Sequence, residues 1–319
     1  MGRYIIRRLL QFIPVFFGAT LLIFTLVFLI PGDPIRALAG ERPLPENVQA
    51  ELRDQYDLDD PFFVQYAKYM GFMQDDDTES YNGILQGNFG TNFRGRPVSD
   101  IMAQAFPLTL RLAVGAFLFE IVLGIIAGVL AGLRKGSFID NLVRVSTITV
   151  ISIPIFVIGY VAQLVLGVQL GWFPISYSPA DGWFTYLLPA IVLGSLSLAY
   201  VARLTRTQLI ENKRADFVRT ARAKGLPNGR VTIRHTLRNS LIPVVTYLGI
   251  DFGTLLGGAI VTETIFNFPG IGRTAYDGVI QQEGTVVVGI ITALVIIYVV
   301  ANLLVDIAYA YLDPRIRYE

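Results

Sequence analysis

Two acidic residues of the sequence stand inside long apolar stretches, where an ionisable side chain could do chemistry. They are Glu120 and Asp251. With a helical rise of about 1.5 Å per residue, Glu120 lies about 18 Å from the start of its stretch and Asp251 about 15 Å from the start of its own. A carboxyl group in the middle of a membrane needs a polar path, a partner or a proton. We expect Asp251 to line a polar path that favours cationic groups such as an ammonium; a hydrogen bond to a neighbouring helix is the alternative.

Residues of other reactive types are scarce. The sequence has no Cys and a single His, His235, so it offers neither a thiolate nucleophile nor a metal site of the Cys or His type. It also lacks a phosphate-binding G-x-x-x-x-G-K-[ST] loop and the common hydrolase and zinc motifs. We therefore expect no catalytic residue, metal or cofactor in this chain, and any ATP dependence must come from a partner. The net charge of +1 excludes the basic excess of a nucleic-acid binder.

The elements that must position the two acids are membrane helices. Hydrophobic residues make up 53 % of the chain and charged residues only 16 %, whereas soluble domains carry about 25 % charged residues. Apolar stretches of membrane length predict six transmembrane helices. They are Leu9–Gly32, Leu108–Leu133, Val145–Gly171, Tyr186–Ala202, Leu241–Val261 and Thr285–Tyr309. The sequence thus predicts an all-α integral membrane protein.

The distribution of Lys and Arg predicts which side each connection faces. Basic residues concentrate before the first stretch and in residues 134 to 144 and 203 to 240, whereas acidic residues dominate residues 31 to 107. Cytoplasmic connections retain basic residues, so both termini are expected in the cytoplasm. The expected organisation is a cytoplasmic head and first helix over 1–32, an extracytoplasmic subdomain over 33–107, and a core of five helices over 108–319.

The cytoplasmic segment 203–240 contains one sharply delimited short helix. Asp216 is expected to cap a helix over Phe217–Lys224. Gly225 suits the left-handed end of that helix, and Pro227 prevents its continuation.

One side of this short helix can dock in a groove of another protein. Phe217, Ala221 and Lys224 share that side, and the small residues Thr220, Ala221 and Ala223 leave little bulk. A helix that rests on lipid headgroups is the alternative, although such helices usually carry a wider apolar face.

Small residues and prolines predict where membrane helices pack or bend. Gly124, Gly128 and Gly132 follow one another at four-residue spacing, and so do Gly253 and Gly257, which permits close approach of a neighbouring helix. Breaks or bends are expected at Ser152-Ile153-Pro154 and at Gly257-Gly258.

Five segments together resemble the B-type permease subunit of dipeptide and oligopeptide ABC importers, within the binding-protein-dependent transport permease family. They are Arg3–Leu10, Pro31–Pro34, Asp216–Leu226, Phe268–Arg273 and Leu312–Arg317. The third is similar to the family's EAA loop, with Arg219-Thr220-Ala221 in place of Glu-Ala-Ala and with Gly225 at the family's glycine. Pro243 follows eighteen residues after Gly225, as in the peptide branch. His235 also fits that branch and is expected to be a packing residue.

The resemblance implies a type I ABC importer permease fold in the cytoplasmic (inner) membrane of a prokaryote. It implies a complex with a second permease subunit, two ATPase subunits that bind ATP and Mg, and an extracytoplasmic binding protein that meets residues 31–107 and 263–284. Glu120 and Asp251 become candidates for the translocation path across the lipid bilayer. The short helix would couple to the ATPase through Asp216, Phe217, Arg219, Thr220, Ala221, Lys224 and Gly225.

Other functions remain open at this stage. The same importer architecture could carry nickel, glutathione or haem. A proton-driven secondary transporter could use Glu120 and Asp251 as a relay. A structural or receptor protein of the membrane is the third class, and it is disfavoured by the short cytoplasmic helix.

Overall fold

The computed structural model describes residues 2–29, 45–55, 58–74 and 80–312, and every named element in these ranges is a helix. In chain order, the helices are α1 (Gly2–Leu29), α2 (Glu46–Gln55), α3 (Phe62–Met70), α4 (Val98–Leu133), α5 (Phe138–Ser152), α6 (Ile155–Gln169), α7 (Phe184–Asn212), α8 (Asp216–Ala223), α9 (Asn228–Ser240), α10 (Ile242–Gly258), α11 (Ile260–Ile265), α12 (Ile271–Ile280) and α13 (Gly284–Leu312). The prediction of an all-α protein is confirmed. Pro31–Pro34 and most of Leu312–Arg317, which carry part of the resemblance, lie outside the described residues.

Four single helices and two bent pairs are long and apolar enough to cross a membrane. The single spans are Leu9–Phe28, Val98–Leu133, Phe184–Asn212 and Gly284–Val305. The first pair, α5 with α6, is bent by 104°, and the second, α9 with α10, by 41°. Counted as one span each, the pairs bring the total to the six that were predicted.

The bend between α5 and α6 lies at the predicted position. α5 ends at Ser152, Ile153 has the extended values φ −98° and ψ 127°, and Pro154 precedes α6. Proline has no N–H for the helical ladder and disfavours helical geometry in the residue before it. The helix therefore stops at Ser152 and restarts in a new direction.

The described residues form two compact units. The first takes in the chain before Thr109 together with Pro269–Val299. Its interior holds a line of hydrogen-bonded side chains, here called the tyrosine seam. The hydroxyl of Tyr66 lies 2.9 Å from Oγ1 of Thr20, and the hydroxyl of Tyr69 lies 2.8 Å from Oγ1 of Thr292.

Aromatic rings extend the tyrosine seam along α1. The ring of Phe24 packs against Tyr66, Tyr69 and Phe62, at centroid distances of 5.4, 5.4 and 5.5 Å. Thr20 and Phe24 belong to the span Leu9–Phe28. The segment expected to be an extracytoplasmic subdomain therefore packs one of its helices, α3, along a membrane-spanning helix.

The second unit takes in Thr109–Phe268 and the chain from Val300 onward. Its helices α4 and α7 approach closely at the predicted glycines. A Cβ atom at Gly128 would lie 2.6 Å from the backbone oxygen of Ala202, and one at Gly124 would lie 2.8 Å from Val201 Cγ1. Neither distance can be met without a shift of the backbone or of a buried side chain. Glycine at these positions therefore permits the close packing of α4 on α7.

Candidate functional site

The short helix predicted over Phe217–Lys224 is present, but it starts and ends one residue earlier, at Asp216 and Ala223. α8 begins at Asp216, and the preceding Ala215, at φ −68° and ψ 151°, is its N-cap. Asp216 therefore does not cap the helix, and that prediction is wrong. Its carboxylate instead pairs with Arg219 at 3.2 Å on the exposed surface. An acidic first residue still stabilises the helix, because it faces the positive end of the helix dipole.

Gly225 ends this helix as predicted. Its φ is +79°, and the amide of Leu226 returns to the carbonyl of Ala221 at 3.3 Å. A Cβ atom at Gly225 would meet nothing within 4 Å. Glycine is therefore required here for its left-handed conformation rather than for space.

The two faces of α8 differ from the expectation in one residue. Val218 and Ala221 are buried, and they pack against Val231 of α9. Ala221 was expected on the docking side together with Phe217 and Lys224, but it belongs to the internal face. Its small side chain at the i+3 position from Val218 lets α8 lie close to α9.

The outer face of α8 offers an aromatic ring among polar and basic side chains. Phe217 is 41 % exposed although it is a large apolar residue. Arg219, Thr220 and Lys224 are exposed beside it. These four residues, here called the docking face, are free to meet another protein.

The end of α9 is hydrogen-bonded to α7 through Ser240. Nδ2 of Asn212 donates to Oγ of Ser240 at 3.0 Å, and Oγ of Ser240 reaches the carbonyl of Gln208 at 3.2 Å. Between Val231 and Leu237, α9 winds as a π-helix. His235 lies half-buried in this stretch. α8 rests on Val231 of α9, and α9 leads directly into α10, the helix that carries Asp251.

The two intramembrane acids are brought together. Glu120 of α4 is completely buried, and Asp251 of α10 is half-buried. Asp251 and Ser197 of α7 are both close to the carboxyl group of Glu120, and Ser197 also donates to Asp251. Oδ1 of Asp251 accepts from the hydroxyls of Ser197 at 3.0 Å and Tyr247 at 3.4 Å.

Three oxygen atoms of this acid pair have no hydrogen-bond partner. They are Oε1 and Oε2 of Glu120 and Oδ2 of Asp251, and all three are buried. Within the described part of the chain, no Lys or Arg forms an ion pair with either carboxylate. The hydrogen bond from Ser197 on a neighbouring helix was the structural alternative for Asp251, and it is present, but it leaves Glu120 unsatisfied.

The sequence did not predict a third buried acid, Glu263. Glu263 was assigned to an outer connection over 263–284, yet it lies in α11 and is completely buried. Its Oε1 accepts a hydrogen bond from Thr109 at 2.6 Å. A charge count over a connection does not show which residue of it turns inward.

The residues that follow α11 contribute Phe268 to a cluster of aromatic rings with Tyr177 and Tyr186. The amide of Tyr177 donates to the carbonyl of Phe266 at 2.8 Å, and the Tyr177 ring packs on Phe268 at 4.7 Å. Burial raises the pKa of the Tyr177 hydroxyl. This arrangement holds the connection between α6 and α7 against the end of α11.

The sequence also did not predict a buried ion pair in the first turn of α5. Asp140 is fully buried, and both of its oxygens bind the guanidinium of Arg206, one of them through Nη2 at 2.9 Å. The amide of Gly136 adds a hydrogen bond at 2.8 Å. An acid and an arginine at the same end of two apolar helices were the signal in the sequence. No group of three His, Cys, Asp or Glu residues in the described ranges could hold a metal ion.

Fold and site together describe a multi-pass helical membrane protein with a short, partly exposed helix, α8, in the connection between two membrane-spanning segments. The family of binding-protein-dependent transport system inner membrane components matches residues 120–318, and the N-terminal component of the same systems matches residues 1–113. The chain belongs to this family. It is a membrane component of a binding-protein-dependent ABC transport system.

Curated relatives align with the whole chain. It is 39 % identical to the di/tripeptide transport system permease protein DppB of Pseudomonas aeruginosa and 34 % identical to the dipeptide transport system permease protein DppB of Alkalihalophilus pseudofirmus. It is 37 % identical to the glutathione transport system permease protein GsiC of Escherichia coli strain K12. All three alignments cover 100 % of this chain and 100 % of the relative. The resemblance seen in the sequence is thereby confirmed at the level of the family.

Proposed function

We propose that this chain is the B-type permease subunit of an importer that moves dipeptides and oligopeptides across the inner membrane. It works with a second permease subunit, two ATPase subunits and an extracytoplasmic binding protein. The full-length similarity to two permeases named for dipeptide or di/tripeptide transport supports the cargo. Both termini are in the cytoplasm, and the excess of basic residues in 134–144 and 203–240 supports this orientation.

The observation that carries the proposal is the docking face of α8. Phe217 stays exposed on a helix whose buried residues Val218 and Ala221 pack against α9. An exposed aromatic ring with basic neighbours on a short, rigidly mounted helix suits a cleft in a partner protein. The partner is the ATPase subunit, which binds ATP and Mg, since this sequence has no phosphate-binding loop. The permease itself is not an enzyme.

The mounting of α8 explains how ATP-driven motion reaches the membrane. When the ATPases close, they displace α8 as a rigid body. The contact of Val218 with Val231 passes the displacement to α9 and through the 41° bend to α10. Asp251 lies on α10, so the acid pair moves relative to α4 in each cycle. The assignment of Glu120 and Asp251 to the translocation path follows from this proposal.

Glutathione is the second candidate cargo. The relative named for glutathione transport is about as similar to this chain as the two DppB proteins are. Glutathione is a small peptide with a free ammonium group, so the two cargoes pose similar demands on a permease. Nickel and haem have no such support among these relatives.

Reconstitution of the complete complex in liposomes tests the proposal. Uptake and ATP hydrolysis are measured with short peptides, glutathione, nickel or haem, each with the cognate binding protein. We expect short peptides to stimulate both activities. If glutathione alone stimulates uptake, glutathione is the cargo. If none of the peptides stimulates uptake, import of peptides is refuted.

The docking face is tested in the same assay with Phe217→Ala and Arg219→Glu. Both variants should lose most peptide-stimulated uptake and co-purify with less ATPase. Lys135→Glu, a matched charge change on another exposed cytoplasmic loop, should leave both unchanged. Equal behaviour of Arg219→Glu and Lys135→Glu would remove the coupling role from α8.

A further inference from the structure

The family assignment does not explain why two carboxyl groups, those of Glu120 and Asp251, lie next to each other with three oxygens that lack hydrogen-bond partners. The acid pair brings two carboxyl groups together, with hydroxyl groups of Ser197, Tyr247 and Thr254 as polar neighbours. Tyr247 also packs against a hydrophobic cluster that includes Phe117, Ile121 and Val201. A charge in such surroundings is costly unless a counter-charge or a set of hydrogen bonds compensates it.

Compensation from within the described chain is incomplete. Asp251 receives hydrogen bonds on one oxygen only, and Glu120 receives none on either. Buried polar atoms in native proteins are nearly always hydrogen-bonded, so three orphan acceptors at one place indicate a donor that comes from outside. The donor must be small enough to enter and must carry positive charge or a proton.

The three orphan oxygens match one common cationic group. A primary ammonium has three N–H donors and no acceptor, and the site presents three acceptors with no donor left over. Charge-assisted hydrogen bonds of this kind are about twice as strong as neutral ones. The rings of Tyr247 and Tyr200, 6.2 Å apart, add aromatic faces that attract cations.

One side of the site lies at the surface of the described chain. Asp251 is only half-buried, its partner Thr254 is exposed, and so is Tyr200, which packs on Tyr247. Glu120 forms the closed end of the site, since it is completely buried. A ligand that arrives along the exposed side of α7 and α10 would meet Asp251 first and Glu120 last.

We propose that Glu120 and Asp251 form a transient site for the N-terminal ammonium of the peptide during translocation. This inference rests on the proposed function, because it takes the cargo to be a peptide. It adds a specificity element inside the permease: the pair accepts peptides with a free N-terminal amine and disfavours peptides that lack it. Ser197 is a positioning residue that holds Asp251 in place.

The test compares two cargoes in the reconstituted complex. One is the dipeptide Ala-Ala, and the other is its desamino analogue, in which hydrogen replaces the amine. Uptake rates of both are measured for the wild type and for Glu120→Gln and Asp251→Asn. Because the same binding protein serves all complexes, its own preference cancels when the variants are compared with the wild type. Asp181→Asn, on an exposed outer turn, is the matched control.

The expected result is a loss of discrimination. The ratio of Ala-Ala uptake to analogue uptake should fall about tenfold in Glu120→Gln and Asp251→Asn and stay constant in Asp181→Asn. If both cargoes slow down equally in the variants, the pair serves packing or proton transfer and the inference is wrong. If the wild type imports no peptide at all, the proposed function itself fails, which is a different outcome from an unchanged ratio.

A second measurement uses the wild-type complex and so does not depend on the folding of a variant. A dipeptide with a free amine and a photoreactive diazirine side chain is trapped during turnover and cross-linked by light. Cross-links to α7 around Ser197 and to α10 around Asp251 would support the site. Cross-links confined to other helices would overturn it.

Discussion

Asp140 and Glu120 of the second unit are both completely buried, but they differ in their hydrogen-bond partners. Asp140 binds an arginine with both oxygens and accepts a backbone amide as well. Glu120 has no hydrogen-bond partner for either oxygen. A carboxylate that is satisfied within the chain holds helices together, whereas one that is left unsatisfied has its complement elsewhere. Burial alone does not distinguish structural from functional acids. The number of hydrogen bonds and ion pairs that each carboxyl group forms does.

The largest effect on stability is expected where the satisfied pair is broken. Asp140→Ala leaves the guanidinium of Arg206 without its partner and should lower the free energy of unfolding by about 2 kcal/mol, less than a fully buried pair would lose because Arg206 is 18 % exposed. Denaturant unfolding of the purified complex measures the loss. Asp181→Ala is the exposed control and should change nothing. A stable Asp140→Ala protein would erase the contrast between the two acids.

The tyrosine seam of the first unit extends the comparison to uncharged groups. Tyr69→Phe removes the hydrogen bond to Thr292, which is buried, and should lower the free energy of unfolding by about 1.5 kcal/mol. Tyr81→Phe, at an exposed tyrosine, should have no effect. Both are measured by thermal unfolding in detergent, and equal melting temperatures would show that the seam contributes nothing.

Glu120→Gln should move stability in the other direction. The amide keeps the shape of the side chain and replaces an acid whose oxygens have no hydrogen-bond partner, so the free energy of unfolding should stay constant or rise by up to about 1 kcal/mol. Peptide uptake should fall in the same preparation. A protein destabilised as strongly as Asp140→Ala would place Glu120 among the structural acids.

The docking face should be the least important for stability. Phe217 is exposed and lies outside the buried cluster of Val218, Ala221 and Val231, so Phe217→Ala should change the free energy of unfolding by less than about 0.5 kcal/mol. Its uptake should nevertheless be lost. Val218→Ala, on the buried side, is the counterpart and should destabilise the fold. An unstable Phe217→Ala protein would contradict the division of α8 into two faces.

The sequence was sufficient for features that depend on neighbours along the chain. The spans follow from apolar runs, the bend at Pro154 from the missing N–H of proline, and the end of α8 from Gly225. Each of these is decided within one or two helical turns. The helix α8 could therefore be predicted to within one residue at each end.

Features that depend on which helix faces meet were not predictable in this way. The pairing of Asp140 with Arg206 and the burial of Glu263 join residues far apart in the chain. Ala221 was assigned to the wrong face because helical periodicity groups residues on one side but does not say which side meets Val231. Depth estimates did place Glu120 and Asp251 at similar levels, but only the tertiary structure shows that they face each other.

The π-helical winding between Val231 and Leu237 bears on how relatives of this chain should be aligned. A π turn holds one residue more than an α turn over nearly the same rise. A relative that lacks one residue here can close the same segment as an ordinary α-helix, with Val231 still under α8 and Ser240 still beside α7. A single-residue gap at this place in an alignment therefore marks a π-helix in one protein and an α-helix in the other. The residues before and after the gap still occupy equivalent positions in both proteins.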